Sequence, residues 1–394
     1  MIYLDNAATT KISPAAWRAM ERAMEESWAN PSSIHTPGRR AGDVLARARE
    51  TVAACLGATA REIYFTSGGS EADNQALRSA AYGGRKAGRT HLIASAIEHH
   101  AVLHTLEALE KEGFSVTLLP VGEDGIVRPE TVAAALRPET ALVSVMFANN
   151  EVGTIQPVAE LGALCRARGV VFHTDGVQAA GHLPIDVAAQ SIDMLALSGH
   201  KLHGPRGVGA LYVRRGVPLE PFVLGGAQER GKRAGTENLP AIAGMAAALE
   251  AACGTMEADA ARMTALRDRL TERLLAIPGC ALNGDRARRL PGNVNVSFCG
   301  VEGETLLLLL DQRGIAVSTG SACASGSLEP SHVLLALGKS REQAQGSIRL
   351  TLGEDTTAED IHRAAEAVAE CVARLRSFGD VSGENGGKSS AGRM

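Results

Sequence analysis

Lys201 stands in LSGHKLHGPRGVGALYV, residues 197–213, a glycine-rich turn between two apolar runs. A lone lysine in such a turn ordinarily belongs at the surface. Its company argues for chemistry instead. Thr66-Ser67-Gly68-Gly69-Ser70-Glu71 follows one apolar run and opens a helical stretch, where free amides and the helix dipole favour a phosphate. Glu98, His99 and His100 stand at another helix start, and Asn149, Asn150 and Glu151 follow the run 140–147. Asp175 and Gln178 fall within HTDGVQ, and Ser198 and His200 precede Lys201. Each alone is a cap or a turn residue. Together they call for a ligand with a phosphate, a cationic ring nitrogen and a carbonyl carbon.

Pyridoxal 5′-phosphate (PLP) has all three features, and it requires a Schiff-base lysine and an acidic partner for its ring nitrogen. A carboxylate beside that nitrogen keeps it protonated, which makes the ring an electron sink. Asp175, one apolar run ahead of Lys201, meets this need.

Hydrophobic patterning indicates how these residues are brought together. Strand candidates at 62–66, 91–95, 115–119, 140–147, 170–174, 193–197 and 208–213 alternate with helical stretches at 70–82, 99–112, 130–136 and 158–168. Ser13-Pro14 opens an earlier helix that runs through Trp28. Such alternation predicts an α/β fold, a mostly parallel seven-stranded sheet flanked by helices. Ligands then collect at the carboxyl ends of the strands. A helical stretch at 237–275 leads into a smaller α+β domain, with strands at 293–298, 315–317 and 347–352 and helices near 302–313 and 357–376. The expected division is a large domain over 14–257, a small domain over 1–13 and 258–376, and a disordered Gly/Ser-rich tail over 377–394.

Composition narrows the function classes. The 394 residues carry a net charge of −4 and are 45 % hydrophobic but only 3 % aromatic. That charge argues against a nucleic-acid or anionic-membrane surface. The longest leucine run, Leu306 to Leu310, is far short of a membrane span, and MIYLDNAATT lacks the basic and apolar regions of a secretory signal. Seven cysteines in a scattered, odd set without a CxxC pair suit reduced thiols and a cytoplasmic setting, not a disulfide frame or a metal site. No GxxxxGK[ST] occurs, which excludes a P-loop nucleotide binder.

DGVQ followed by SGHKLHGPRGVGALY resembles the cofactor signature of class V PLP enzymes, of PLP fold type I (the aspartate-aminotransferase fold). GSACASGSLEPSHVL, residues 320–334, resembles the cysteine loop of group I cysteine desulfurases, the NifS/IscS family. YLDNAATT, NPSS, TSGGSEADN, NNEVGT, QERGKRAGTEN, NVNVSF and SIRLTLG match that family in order, from about residue 2 to about 375. The resemblance implies a homodimer that converts L-cysteine to L-alanine and hands sulfur to an iron–sulfur scaffold or another acceptor protein. It implies that Lys201 holds the cofactor and shuttles the Cα proton, and that Asp175 meets the ring nitrogen. Gln178 would bond the phenolic oxygen, and His99 would stack on the ring and act in proton transfer. Gly69, Ser70, Ser198 and His200 would hold the phosphate, joined by Thr236 from the partner subunit. Asn150 and Arg349 would bind the substrate carboxylate, and Cys323 would take the sulfur as a persulfide. Where many relatives have Ala-Thr, this chain has Gly69-Ser70, which keeps the hydroxyl. The alternatives are another class V reaction, a selenocysteine lyase or an aminotransferase, and a catalytically silent scaffold for iron–sulfur assembly. An aminotransferase needs no cysteine at 323, the RxGxHC-type segment of selenocysteine lyases is absent, and a scaffold has no need of Lys201, Asp175 and His99 together.

Overall fold

A computed structural model describes residues 1–319 and 329–384. Seven strands form one sheet in the order Ile63–Thr66, Gly209–Val213, Met194–Ser198, Val171–Asp175, Thr140–Ser144, His91–Ser95, Ser115–Leu119. From Met194–Ser198 to Ser115–Leu119 neighbouring strands are parallel, and Gly209–Val213 is antiparallel to both of its neighbours. The exception has a covalent cause. A parallel crossover needs a dozen or more residues, and the segment 199–208 is too short for one. The chain turns straight back, and Lys201 is held in that turn within a one-turn helix, Gly199–Lys201.

Four of the five inner strands are buried along their whole length, and the fifth, Val171–Asp175, all but its first residue, because helices cover both faces. Residues alternate between two cores. Leu195 and Leu197 pack on one side with Ile242, Met245 and Leu249 of helix Leu239–Leu275. Met194 and Ala196 pack on the other with Ala72, Ala76, Leu77 and Ala80 of helix Gly69–Lys86. The small side chains of that helix let it lie close to the sheet.

Helix Pro14–Glu26 starts where expected, with Ser13 Oγ accepting from Ala16 N at 3.2 Å. Helix Thr36–Cys55 is not among the elements expected from the sequence. Its opening Pro-Gly resembles a turn, yet Pro37 occupies the first turn, where no amide is missed, and His35 Nδ1 accepts from Gly38 N at 3.1 Å as the cap. The first half of helix Leu239–Leu275 is apolar because it packs on these two helices. Its most apolar stretch would suit a membrane by length and composition, and half of it lies buried inside the protein.

A second core gathers Ile2 and Leu4 from the N-terminus with Leu270, Val294, Val296, Leu306, Ile348 and Val368. It contains a three-stranded antiparallel sheet, Ser347–Thr351, Asn293–Phe298 and Cys280–Leu282, and a parallel pair, Ile2–Tyr3 with Ile315–Ala316. The last helix, Ala358–Glu384, corrects the expected tail boundary, since 377–384 continue it and only 385–394 lie outside the described residues. Glu359 and Asp360 in its first turn complement the helix dipole.

Candidate active site

A cleft of about 640 Å³ opens at the carboxyl ends of the parallel strands. It is lined by Gly69, Ser70, His99, Asn150, Asp175, Gln178, Ser198, His200 and Lys201, with Asp73, Met146 and Arg206 beside them. The anion side is a close meeting of three backbones. A Cβ at Gly69 would fall 2.6 Å from Val177 Cγ2, and one at Gly209 would fall 2.7 Å from Gly68 Cα and against the Leu197 carbonyl. Glycines at these positions let the start of helix Gly69–Lys86 and the end of strand Met194–Ser198 converge. Amides at that helix start favour an anion.

Lys201 Nζ donates to the carbonyls of Ala7 at 2.6 Å and Ala8 at 2.8 Å. Gln178 Nε2 donates to the same Ala7 carbonyl at 3.1 Å. Thr10 N and Oγ1 both donate to His200 O at 2.9 Å, so the N-terminal segment clamps the lysine turn from outside the sheet. His200 Nδ1 lies 3.1 Å from Thr9 Oγ1. Burial, with Lys201 and Arg206 nearby, depresses its imidazole to about 4.

Asp175 ends strand Val171–Asp175, and its Oδ1 accepts from Val177 N at 2.9 Å. Burial raises its carboxyl above the usual range, while His99, the Val177 amide and Lys201 pull it back. A buried carboxyl raised by burial suits a partner that brings a positive charge. His99 caps helix His100–Lys111, its Nδ1 accepting from Ala101 N at 3.1 Å. That bond leaves Nε2 to carry the proton, and burial lowers the imidazole so that it is neutral at neutral pH.

Two expected residues stand apart from this group, and a third is not described. Arg349 is buried behind the cleft wall, donating to Asn150 O at 3.0 Å and pairing with Asp5 at 2.9 Å. Its Nε has no hydrogen-bond partner among the described residues. Thr236 is exposed and does not line this chain's own cleft. Cys323 lies outside the described residues, but both ends of its segment are placed. Ser318 pairs with Arg349, with backbone bonds of 3.0 and 2.6 Å. Ser331 Oγ donates to Glu151 at 2.5 Å, and His332 Nε2 donates to Glu98 O at 3.0 Å. The segment therefore starts and ends at residues that back the cleft.

Asp73 and the carbonyls of Ala7 and Ala8 are not among the site residues expected from the sequence. Asp73 had a signal, a lone acid on the otherwise apolar face of Ala72, Ala76 and Ala80. The carbonyls had none, because backbone acceptors carry no residue signature.

Residues 2–364 match the aminotransferase class-V family model. The chain is 51 % identical over 377 residues to cysteine desulfurase IscS of Methanosarcina thermophila, covering 96 % of this chain and 93 % of that protein. It is 50 % identical over 380 residues to cysteine desulfurase IscS of Clostridium botulinum, covering 96 % of each. Among solved structures, a NifS-like protein superposes with a TM-score of 0.89 at 37 % identity, covering 95 % of this chain and 99 % of that one. A NifS-like protein from Rickettsia africae gives 0.85 at 31 %, covering 94 % and 99 %. The chain belongs to the class-V aminotransferase family of enzymes and, within it, to the cysteine desulfurases of the NifS/IscS type.

Proposed function

We propose that this cysteine desulfurase binds PLP at Lys201, takes L-cysteine as substrate and passes the sulfur through Cys323 to an acceptor protein. The observation that carries this reading is the convergence of Lys201, Asp175, His99 and the Gly69–Ser198 cradle on one cleft. The residues present fit the cofactor: a glycine-lined anion cradle, a buried carboxyl for a cationic ring nitrogen, and an amine between them. When bound, PLP supplies an electron sink that loosens bonds at the substrate's α- and β-carbons.

The chain's own groups bind, orient and move protons around it. Gly69, Ser70, Ser198 and His200 would hold the phosphate, Gln178 the phenolic oxygen and Asp175 the ring nitrogen. Lys201 Nζ, which donates to the carbonyls of Ala7 and Ala8, would hold the cofactor and move the proton at the substrate's Cα. His99 would cover the ring and offer Nε2 for proton transfer. Asn150 lines the cleft for the substrate carboxylate, and Arg349, held against the Asn150 carbonyl, supplies the positive charge. Sulfur transfer breaks the cysteine Cβ–S bond and forms an S–S bond at the Cys323 thiolate, giving L-alanine and a persulfide.

Thr236 is exposed and does not line this chain's own cleft, so it is accessible to a partner's site in the proposed homodimer. The acceptor in this proposal is an iron–sulfur scaffold or another sulfur-carrying protein, and the setting is the reducing cytoplasm. The test is to trap the cofactor with borohydride, then react fresh enzyme with cysteine, alkylate, and map both adducts by mass spectrometry. The pyridoxyl group is expected on Lys201 and the persulfide on Cys323. Either adduct on a different residue would overturn the assignment.

A further inference from the structure

The proposed reaction makes no use of Asp73 and His173, which face each other beneath the cleft. Asp73 lies one helical turn after Gly69, at the cleft floor, and is 1 % exposed. Its Oδ1 is 3.4 Å from His173 Nε2, and neither atom has a hydrogen-bond partner among the described residues. His173 Nδ1 lies 2.9 Å from Ser144 Oγ on the adjacent strand. His173 and Asp175 are two residues apart on one strand, so their side chains leave the same face. The row Ser144, His173, Asp73 therefore runs beside the carboxyl assigned to the ring nitrogen.

Two protonation patterns satisfy the contact. A carboxylate–imidazolium pair takes two charges out of water and sets a second carboxylate near Asp175, where like charges raise each other's proton affinity. A neutral pair needs one proton on Asp73 Oδ1, donated to His173 Nε2, with His173 Nδ1–H donating to Ser144 Oγ. We infer that Asp73, His173 and Ser144 form a neutral chain that leaves Asp175 the one ionised carboxyl under the ring, with Asp73 as a positioning residue. The inference rests on the reading that Asp175 meets a cationic ring nitrogen.

The surroundings agree. Burial, with Asp175 and Glu98 close by, holds Asp73 well above the usual carboxylate range, and burial alone depresses His173 to about 3. Glu98, the third buried acid, accepts bonds from Ser95 Oγ and Met146 N, and burial raises it to about 8. Of the three, it is Asp175 that Lys201 stabilises in its charged form. The negative charge belongs where that cation is.

The first test is ¹⁵N-histidine NMR of the protein at neutral pH, with and without cofactor. His173 is expected as neutral imidazole protonated at Nδ1, and an imidazolium signature for His173 would overturn the inference. The second compares Asp73→Asn with Asp73→Ala. The Asn amide can donate to His173 Nε2 without charge, so the midpoint of the cofactor's absorbance–pH titration stays in place. A midpoint moved by about one pH unit or more in Asp73→Asn means that an ionised Asp73 was removed, and refutes the neutral chain. Asp73→Ala leaves Nε2 unsatisfied, and turnover falls about ten- to a hundredfold, with Asn recovering most of the loss. Turnover unchanged in Asp73→Ala refutes a positioning role. If Lys201 carries no trapped adduct, the cofactor reading fails instead, while the NMR result still decides the protonation of the row.

Discussion

Glu151 offers a direct link between a buried charge and the segment that carries Cys323. Its side chain is buried, with Ser331 Oγ donating to it at 2.5 Å. Burial raises its carboxyl from 4.5 to about 7, against the opposing pull of Ser331 and Arg349. At about 1.4 kcal/mol per pH unit, that difference amounts to about 3 kcal/mol of stability. The sign follows from proton counting. Below pH 4.5 the folded and unfolded chains both hold the proton, so nothing is lost. As pH rises toward about 7 the unfolded chain releases its proton while the folded chain keeps it, and folding is progressively penalised. Above that range the loss is complete. Glu151→Gln cannot ionise and escapes it. Urea unfolding of both proteins at about pH 5 and about pH 8 should show the variant gaining most of this 3 kcal/mol at the higher pH relative to the lower. Curves that stay parallel across that interval would refute the assignment of a raised carboxyl to Glu151.

Gly209→Ala should drive apart the Gly68 and Leu197 backbones by a few tenths of an ångström to about 1 Å, weakening cofactor binding up to about a hundredfold. Equilibrium dialysis measures this, and unchanged affinity would contradict the close backbone contact. Arg349→Lys keeps a positive charge but loses the planar fork, so KM for cysteine should rise about tenfold or more, with kcat less affected. Steady-state kinetics decide it, and an unaltered KM would remove Arg349 from substrate binding. A Lys201→Ala chain mixed with a Thr236→Asp chain should recover about a quarter of wild-type turnover, because half of the dimers are hybrids with one whole site. Absence of recovery in verified hybrid dimers would place Thr236 in its own subunit's site.

The sheet strands were legible because buried parallel strands are short apolar runs, and their ends are marked by the first polar residues. That is how Asp175, at the end of one run, and Lys201, just past another, stood out, and with them His99 and the glycines of the anion cradle. The helix at Thr36–Cys55 was not legible, since glycine, proline and arginine obscure its apolar stripe until Leu239–Leu275 is there to pack against. The helical residues 377–384 were likewise hidden by a composition suited to a tail. Other facts exist only in the folded chain. Ala7 and Ala8 hold Lys201 from almost the full length of the large domain away, and Arg349 reaches Asp5 and Asn150 from a different sheet. Asp73 meets His173 only once helix Gly69–Lys86 lies across its strand. Local pattern determines which residues end a strand or begin a helix, because periodicity and capping are properties of neighbours in sequence. Which of those ends share a cleft is decided by strand order and chain crossing, and these depend on burying all the apolar faces at once.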